Sequence, residues 1–317
     1  MCNEYGGPES LTVVDIPLPE PGPGQVRVEV RAAGVNYVDG LIAAGRYQVK
    51  IPPPFIPGSE IAGVVDAVGR DVTDLAPGMR VFASIGTGAF AEFVIADQRA
   101  VTPIDDRLDF GRAASFHQAY CTAWFALTRR TRVAPGEWVL VTGAGGGVGL
   151  AAVDVARALG GRVIAVASTE AKRALARSLG ADETLDPAAD VKTRAREISG
   201  GGIDVVYDAV GGDTAEAALR ALRFDGRFCV IGFTGGIPRV PLNLVLLNNR
   251  TVVGVEWGGW ALRAPDANAQ LVAEVIAAIG EGTLHPVAPV ERPLGEAGAV
   301  IADLLERRAA GKTVLVP

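Results

Sequence analysis

The segment from Val139 to Ala152, VLVTGAGGGVGLAA, constrains the fold of this chain more than any other stretch. A short apolar run enters a cluster of glycines. The glycines open a helical pattern that places Val148, Ala152, Val155 and Leu159 on one face. Strand, glycine turn and helix in this order begin a βαβ unit. Residues 144–149 read A-G-G-G-V-G, which fits G-x-G-x-x-G with Ala144 at the first glycine. Gly146 would let the backbone approach a pyrophosphate, and Gly149 would let the helix pack closely on the strand. The helix N-terminus supplies free N–H groups and a positive dipole end for phosphate. A close-packed βα turn without a ligand is the bland alternative. The flanking strand and helix, with a second strand RVIAVAS at 162–168, favour a dinucleotide site.

The end of that second strand bears on which dinucleotide. An acidic residue there would bind a ribose 2′-hydroxyl. This chain carries Ala167 and Ser168 instead, followed by Lys172 and Arg173. A hydroxyl and two cations suit a 2′-phosphate, hence NADPH. Glu170 belongs in the first turn of the next helix, where negative charge is favourable. The alternative for Lys172 is an exposed helix cation.

Strands continue to alternate with helices. WVLVTG (138–143), the second strand, a short strand near 183–185, IDVVYDAV (203–210), RFCVIGF (227–233) and TVVGVEW (251–257) are separated by helices near 147–160, 170–179, 188–199 and 214–223. This rhythm predicts an α/β fold class with a doubly wound parallel sheet. The first hundred residues differ. QVRVEVRAAG (25–34), EIAGVVDAVG (60–69), MRVFASI (79–85) and AEFVIA (91–96) alternate apolar and polar residues between Pro-Gly punctuation, which predicts a small, partly open barrel. Two more helices, near 267–280 and 295–308, and a final strand KTVLVP complete the chain.

At 317 residues the chain can build two cores. Its net charge of −6 argues against a nucleic-acid scaffold, which needs a basic face. Three widely spaced cysteines, Cys2, Cys121 and Cys229, argue against a disulfide framework and for a reducing, cytoplasmic compartment. The start, MCNEYGGPES, lacks the pattern of a signal peptide, and no apolar run is long enough to suggest a membrane helix.

GVNYVDG (34–40) is ambiguous. An amide, a phenol and a carboxylate within four positions can form an acid–base site, a metal site or a polar turn, and the local sequence favours the turn.

Taken together, AAGVNYVDGLIAAGRY, PFIPGSEIAGVVDAVG, VLVTGAGGGVGLAAVDVARALG, DVVYDAVGG and RRAAGKTVLVP resemble the medium-chain dehydrogenase/reductase superfamily, in its zinc-independent quinone oxidoreductase branch, which includes zeta-crystallin. The resemblance spans almost the whole chain. It implies a Rossmann domain over 115–261 and a GroES-like barrel domain from 1–114 and 262–317. It also implies a further short strand before EYGGPE, of which only Met-Cys-Asn is present. In the zinc-dependent relatives the position matching Asn36 carries a cysteine ligand and that matching Ser59 a histidine; the structural-zinc lobe is missing here. Asn and Ser are poor zinc ligands. His117 and Cys121, spaced i, i+4, read as a buried histidine and a small apolar residue. The resemblance therefore implies metal-free transfer of hydride from NADPH to a quinone or an enone. It maps Asn36, Tyr47 and Thr122 onto the catalytic cleft, with Asn36 and Thr122 also beside the nicotinamide. It maps Gly146, Gly147, Val148, Gly149, Ser168, Lys172, Gly232 and Phe233 onto the cofactor site. Leu185 and Asp186 replace a tyrosine that relatives often place near the adenosine ribose. Asp39 either orients a neighbouring donor or stabilises the turn. A homodimer through TVVGVEW is expected, and a non-catalytic crystallin-like or RNA-binding role is the remote alternative.

Overall fold

In the computed structural model, which describes all 317 residues, strand β1 (Gln25–Val35) organises the first of two compact units, Met1–His117 with Val287–Pro317. Val26, Val28 and Val30 alternate into a core shared with Ile61, Val65, Val81, Val94 and Leu315. This is the period-two pattern of a half-buried strand. β1 pairs antiparallel with β2 (Glu60–Val68), with β4 (Phe93–Asp97) and with the returning strand Thr313–Val316. β3 (Arg80–Ser84) and β5 (Val101–Pro103) extend the sheet on one side, and Val290–Pro293 extends it on the other. The path does not close on itself, so this is an open barrel-like sheet. Cys2 bridges antiparallel to Phe55 and Leu11, so the first residues do pair locally.

The segment GVNYVDG departs from its local reading. Residues Tyr37–Ala43 form a helix, α1, not a turn. Asp39, at the third helical position, accepts the Asn36 N–H at 2.8 Å and so satisfies an end group of the helix entry. Gly40 sits inside α1 because a Cβ there would lie 2.8 Å from Ile301 and 3.1 Å from Leu305. Close packing against the Ala297–Leu305 helix explains a residue that reads as a turn former.

The second unit, Gln118–Pro286, carries a six-stranded parallel sheet. Its strands are β6 (Trp138–Thr142), β7 (Arg162–Val166), β8 (Glu183–Leu185), β9 (Ile203–Asp208), β10 (Leu222–Val230) and β11 (Thr251–Gly254). Their order is β11-β10-β9-β6-β7-β8. The chain winds outward from β6 in one direction and, from β9, in the other. The carboxyl ends of β6 and β9 therefore flank a topological switch point, where open α/β sheets bind ligands. Both strands are buried throughout, β6 with an apolar run over 138–141 and β9 with Val205, Val206 and Tyr207 between the buried Asp204 and Asp208.

The helix Pro265–Gly280 belongs to this unit, whereas the sequence expectation placed 262–317 with the barrel. Its Glu274 accepts from Trp124 Nε1 at 2.8 Å and from Arg129 at 2.6 Å, and its Leu271, Val275 and Ala278 are buried. The crossing back to the first unit comes at Pro286–Val287.

Candidate functional site

In the first unit, Asn36 is the centre of a hydrogen-bonded cluster. Gly34 on β1 stands in register with Glu60 on β2 and with Val314 on the returning strand. A Cβ at Gly34 would lie 2.8 Å from Glu60 Oε1 and would collide with the Ala114 carbonyl oxygen. Glycine here lets the Glu60 side chain lie along the strand toward Asn36. Asn36 Nδ2 donates to Glu60 Oε1 at 2.7 Å. Lys312, just before the returning strand, donates to Asn36 Oδ1 at 2.7 Å, to Glu60 Oε1 at 3.0 Å and to the Val35 carbonyl at 3.3 Å. Glu60 and Lys312 form a buried ion pair, with side-chain exposures of 2% and 11%.

Asp39 is also buried. Loss of hydration pushes its carboxyl from the ordinary 3.8 up to about 7; the Asn36 N–H opposes this, the Glu60 charge adds to it and Lys312 opposes it. His117 is buried beside Phe82 and Phe116, and burial lowers its pKa, which favours the neutral ring. Tyr47 is half-buried on the loop after α1, and Ser59 is half-buried before β2. No three His, Cys, Asp or Glu side chains converge as a metal site would require.

The second unit carries the glycine turn. The residue in the left-handed region is Gly143, at φ +66°, one position before Ala144. The tight turn thus falls on Gly143, while Ala144 is buried and its N–H bonds the Val166 carbonyl at 3.1 Å. Gly146 is the N-cap of the Gly147–Ala158 helix, and no side chain caps that helix. A Cβ at Gly149 would collide with the Gly143 carbonyl oxygen, so the helix packs on the turn at a distance only glycine allows. A Cβ at Gly145 would lie 2.5 Å from Lys172 Cβ, which places the lysine stem over the turn. The Gly147 and Val148 N–H groups at the uncapped end can take an anion.

The cationic residues next to the turn divide clearly. Arg173 donates to the Ala167 carbonyl at 2.8 Å and to Asp186 at 2.9 Å, so its guanidinium is committed within the protein. Glu170 lies in the first turn of the Glu170–Ser178 helix and accepts from Arg173 and Arg177. Lys172 is 9% exposed, a buried residue and not the surface cation of the alternative reading. Ser168 is exposed at the end of β7, and no carboxylate occupies that position. Leu185 is buried, and Asp186 serves Arg173 and the Ala188 N–H.

Gly232 and Phe233 follow β10 on a loop knitted to the end of β9. The Gly232 N–H donates to the Asp208 carbonyl at 3.3 Å and the Gly235 N–H to the Val210 carbonyl at 2.7 Å. The Asp208 carboxylate accepts the Val210 and Gly211 N–H groups at 3.1 Å and the Thr142 hydroxyl, joining the ends of β6 and β9. Thr122 is half-buried on the His117–Trp124 helix. Sequence reasoning passed over three of these polar residues: Glu60, Lys312 and Asp208. The available signals were a carboxylate opening the apolar run EIAGVV, a lysine opening TVLV, and an aspartate between DVVY and a glycine pair.

Residues 22–106 match the alcohol dehydrogenase GroES-like domain family, and residues 147–276 match the zinc-binding dehydrogenase family. The chain is 35% identical to the quinone oxidoreductase-like protein 2 homolog of Nematostella vectensis, over 99% of this chain and 87% of that one. It superposes on the quinone oxidoreductase of Thermus thermophilus, solved also in complex with NADPH, with a TM-score of 0.87 and 35% identity, over 100% of this chain and 98% of that one. It is also 40% identical to the polyketide synthase GfsB of Streptomyces halstedii, over 92% of this chain but 5% of that protein.

Proposed function

We propose that this chain, which belongs to the quinone oxidoreductase branch of the medium-chain dehydrogenase/reductase superfamily, is an NADPH-dependent oxidoreductase acting on conjugated carbonyl acceptors, quinones foremost. The observation that carries this reading is the glycine turn at the switch point, with an uncapped helix N-terminus on one side and the Lys172 stem over Gly145 on the other. Those residues fit a dinucleotide. Gly146, Gly147, Val148 and Gly149 would hold the pyrophosphate, and Ser168 and Lys172 the 2′-phosphate. Gly232 and Phe233 line the same edge of the sheet. When bound, the cofactor supplies the hydride.

The chain's own work is then to orient the acceptor and stabilise the charge that forms on it. Reduction of a quinone or enone leaves negative charge on the acceptor oxygen, and preorganised donors aimed at that oxygen lower the barrier. Asn36 Nδ2, the Thr122 hydroxyl and the Tyr47 phenol are the donors we assign to this task. The residue types do not suit zinc: an amide and a hydroxyl, Asn36 and Ser59, stand where thiolate or imidazole ligands are needed. Metal-free donors are therefore given the role.

The enone reading is the second one, and the match to part of a polyketide synthase is the observation that favours it. The two readings divide at the proton. A reduced quinone carries a stabilised phenolate that takes its proton from water. An enone becomes an enolate that must be protonated at carbon, so a positioned acid matters more. Tyr47→Phe should slow enone reduction by ~10²-fold or more, in the range of general acid catalysis, and quinone reduction much less. An unchanged rate with every acceptor would make Tyr47 a wall of the site and leave proton delivery to water.

A further inference from the structure

The Asn36 amide is held by two partners of opposite chemistry. Its Oδ1 faces the Lys312 ammonium at 2.7 Å, and its Nδ2 faces the Glu60 carboxylate at 2.7 Å. An ammonium can only donate, and an ionised carboxylate can only accept. The flipped amide would set NH₂ against NH₃⁺ and oxygen against carboxylate, so one orientation alone satisfies both. The ammonium has three protons and three acceptors: Asn36 Oδ1, Glu60 Oε1 and the Val35 carbonyl. Each of these positions is fixed by the sheet. Val35 pairs with Thr313, the neighbour of Lys312, and Gly34 pairs with Glu60. One of the two Nδ2 protons is used by Glu60, and the other remains on a half-buried residue.

We propose that Lys312 is a positioning residue: together with Glu60 it locks the Asn36 amide so that the second Nδ2 proton is its one donor toward a bound acceptor or cofactor. This rests on the assignment of Asn36 as a working donor. It adds that a residue 276 positions away sets which end of the amide is offered. It also assigns the buried charge pair a purpose. Pairs of this kind contribute little net stability but can impose a unique arrangement.

A double-mutant cycle on kcat with a saturating benzoquinone and NADPH tests the coupling, alongside the side-chain amide signals of Asn36 in nitrogen-15 spectra. Lys312→Met should lower kcat about tenfold in the Asn36 protein and less than about twofold in an Asn36→Ala background, because the amide it acts through is gone. Lys312→Arg should recover part of the loss. The two Asn36 Nδ2 protons should be separate and slowly exchanging in the unmodified chain, and lose that protection in Lys312→Met. Equal losses of kcat in both backgrounds, or Asn36 amide signals unaffected by Lys312→Met, would overturn the proposal. If Asn36→Ala leaves every rate unchanged while the amide signals still respond to Lys312→Met, the positioning stands and the assignment of Asn36 as a donor falls. Lys312→Met strands Glu60 and can impair folding; Lys312→Met with Glu60→Gln removes the whole charge pair, and the same loss of amide protection is expected.

Discussion

Replacing Lys172 should change the choice between NADPH and NADH by an amount that can be set in advance. Lys172 lies at the third position of the Glu170–Ser178 helix. A cation in the first turn works against the helix dipole, by about 0.3–1 kcal/mol. The neighbouring cation cannot take its place, since Arg173 is held by the Ala167 carbonyl and Asp186. A hydrogen bond to a charged group contributes ~1.5–3 kcal/mol, which corresponds to roughly 10- to 150-fold in Kd. Lys172→Ala removes the charge and also the stem that lies against Gly145. Lys172→Met keeps most of the stem, so the difference between the two variants separates packing from charge. Titration of cofactor fluorescence at fixed ionic strength should show NADPH weakened by that factor in both variants. NADH, which has no 2′-phosphate, should weaken less than about twofold in Lys172→Met. Equal weakening of both cofactors in Lys172→Met would exclude a contact with the 2′-phosphate and leave Lys172 as a structural lysine.

Three further outcomes are expected. Elemental analysis of the purified protein should find no stoichiometric zinc, and a chelator should leave activity intact; loss of activity to the chelator together with bound zinc would contradict the assignment of Asn36 and Ser59. Light scattering at micromolar concentration should give a homodimer, because β11 is an edge strand with exposed Thr251 and Val252, an open template for pairing; Val252→Lys should shift the mass toward the monomer, and a monomeric parent would end the idea. Asp39 should make stability pH-dependent. Its folded-state pKa, about 7, lies above the unfolded value, so its protonated form favours folding fully below about pH 4 and the benefit is lost as pH rises through 7. Asn at this position keeps an acceptor for the Asn36 N–H and cannot ionise, so Asp39→Asn should unfold at higher denaturant than the parent at pH 8, by a few kcal/mol, with the gap closing toward pH 5; a gap independent of pH would remove Asp39 as its source.

The parallel sheet was readable because its strands are short, carry apolar centres such as 139–141, 163–166 and 205–207, and are separated by helical periods; β6, β7 and β9 appear within a residue or two of where that rhythm puts them. The glycine turn was readable for the same reason, with its left-handed residue one step earlier, at Gly143. The Asn36 segment was not. Asn, Asp and Gly favour turns by local conformation, and only packing against the Ala297–Leu305 helix reveals why Gly40 lies inside a helix. The Glu60–Lys312 pair was hidden for a different reason. Its members are far apart in the chain, and the sheet register that joins them through β1 leaves no local pattern. The Pro265–Gly280 helix shows the same limit: its periodicity marks a helix, but its unit is chosen by Glu274 meeting Trp124 and Arg129.

Hydride transfer from NADPH to a conjugated acceptor is read out by a steady-state panel of substrates. Purified protein would be assayed with benzoquinones, alkenals, enoyl thioesters and simple saturated aldehydes, each with NADPH and with NADH. Measurable kcat/KM with NADPH is expected for at least one conjugated class, with at least about tenfold lower values with NADH and no reduction of saturated aldehydes. Turnover of saturated aldehydes at rates equal to the conjugated acceptors, or a preference for NADH, would contradict that expectation.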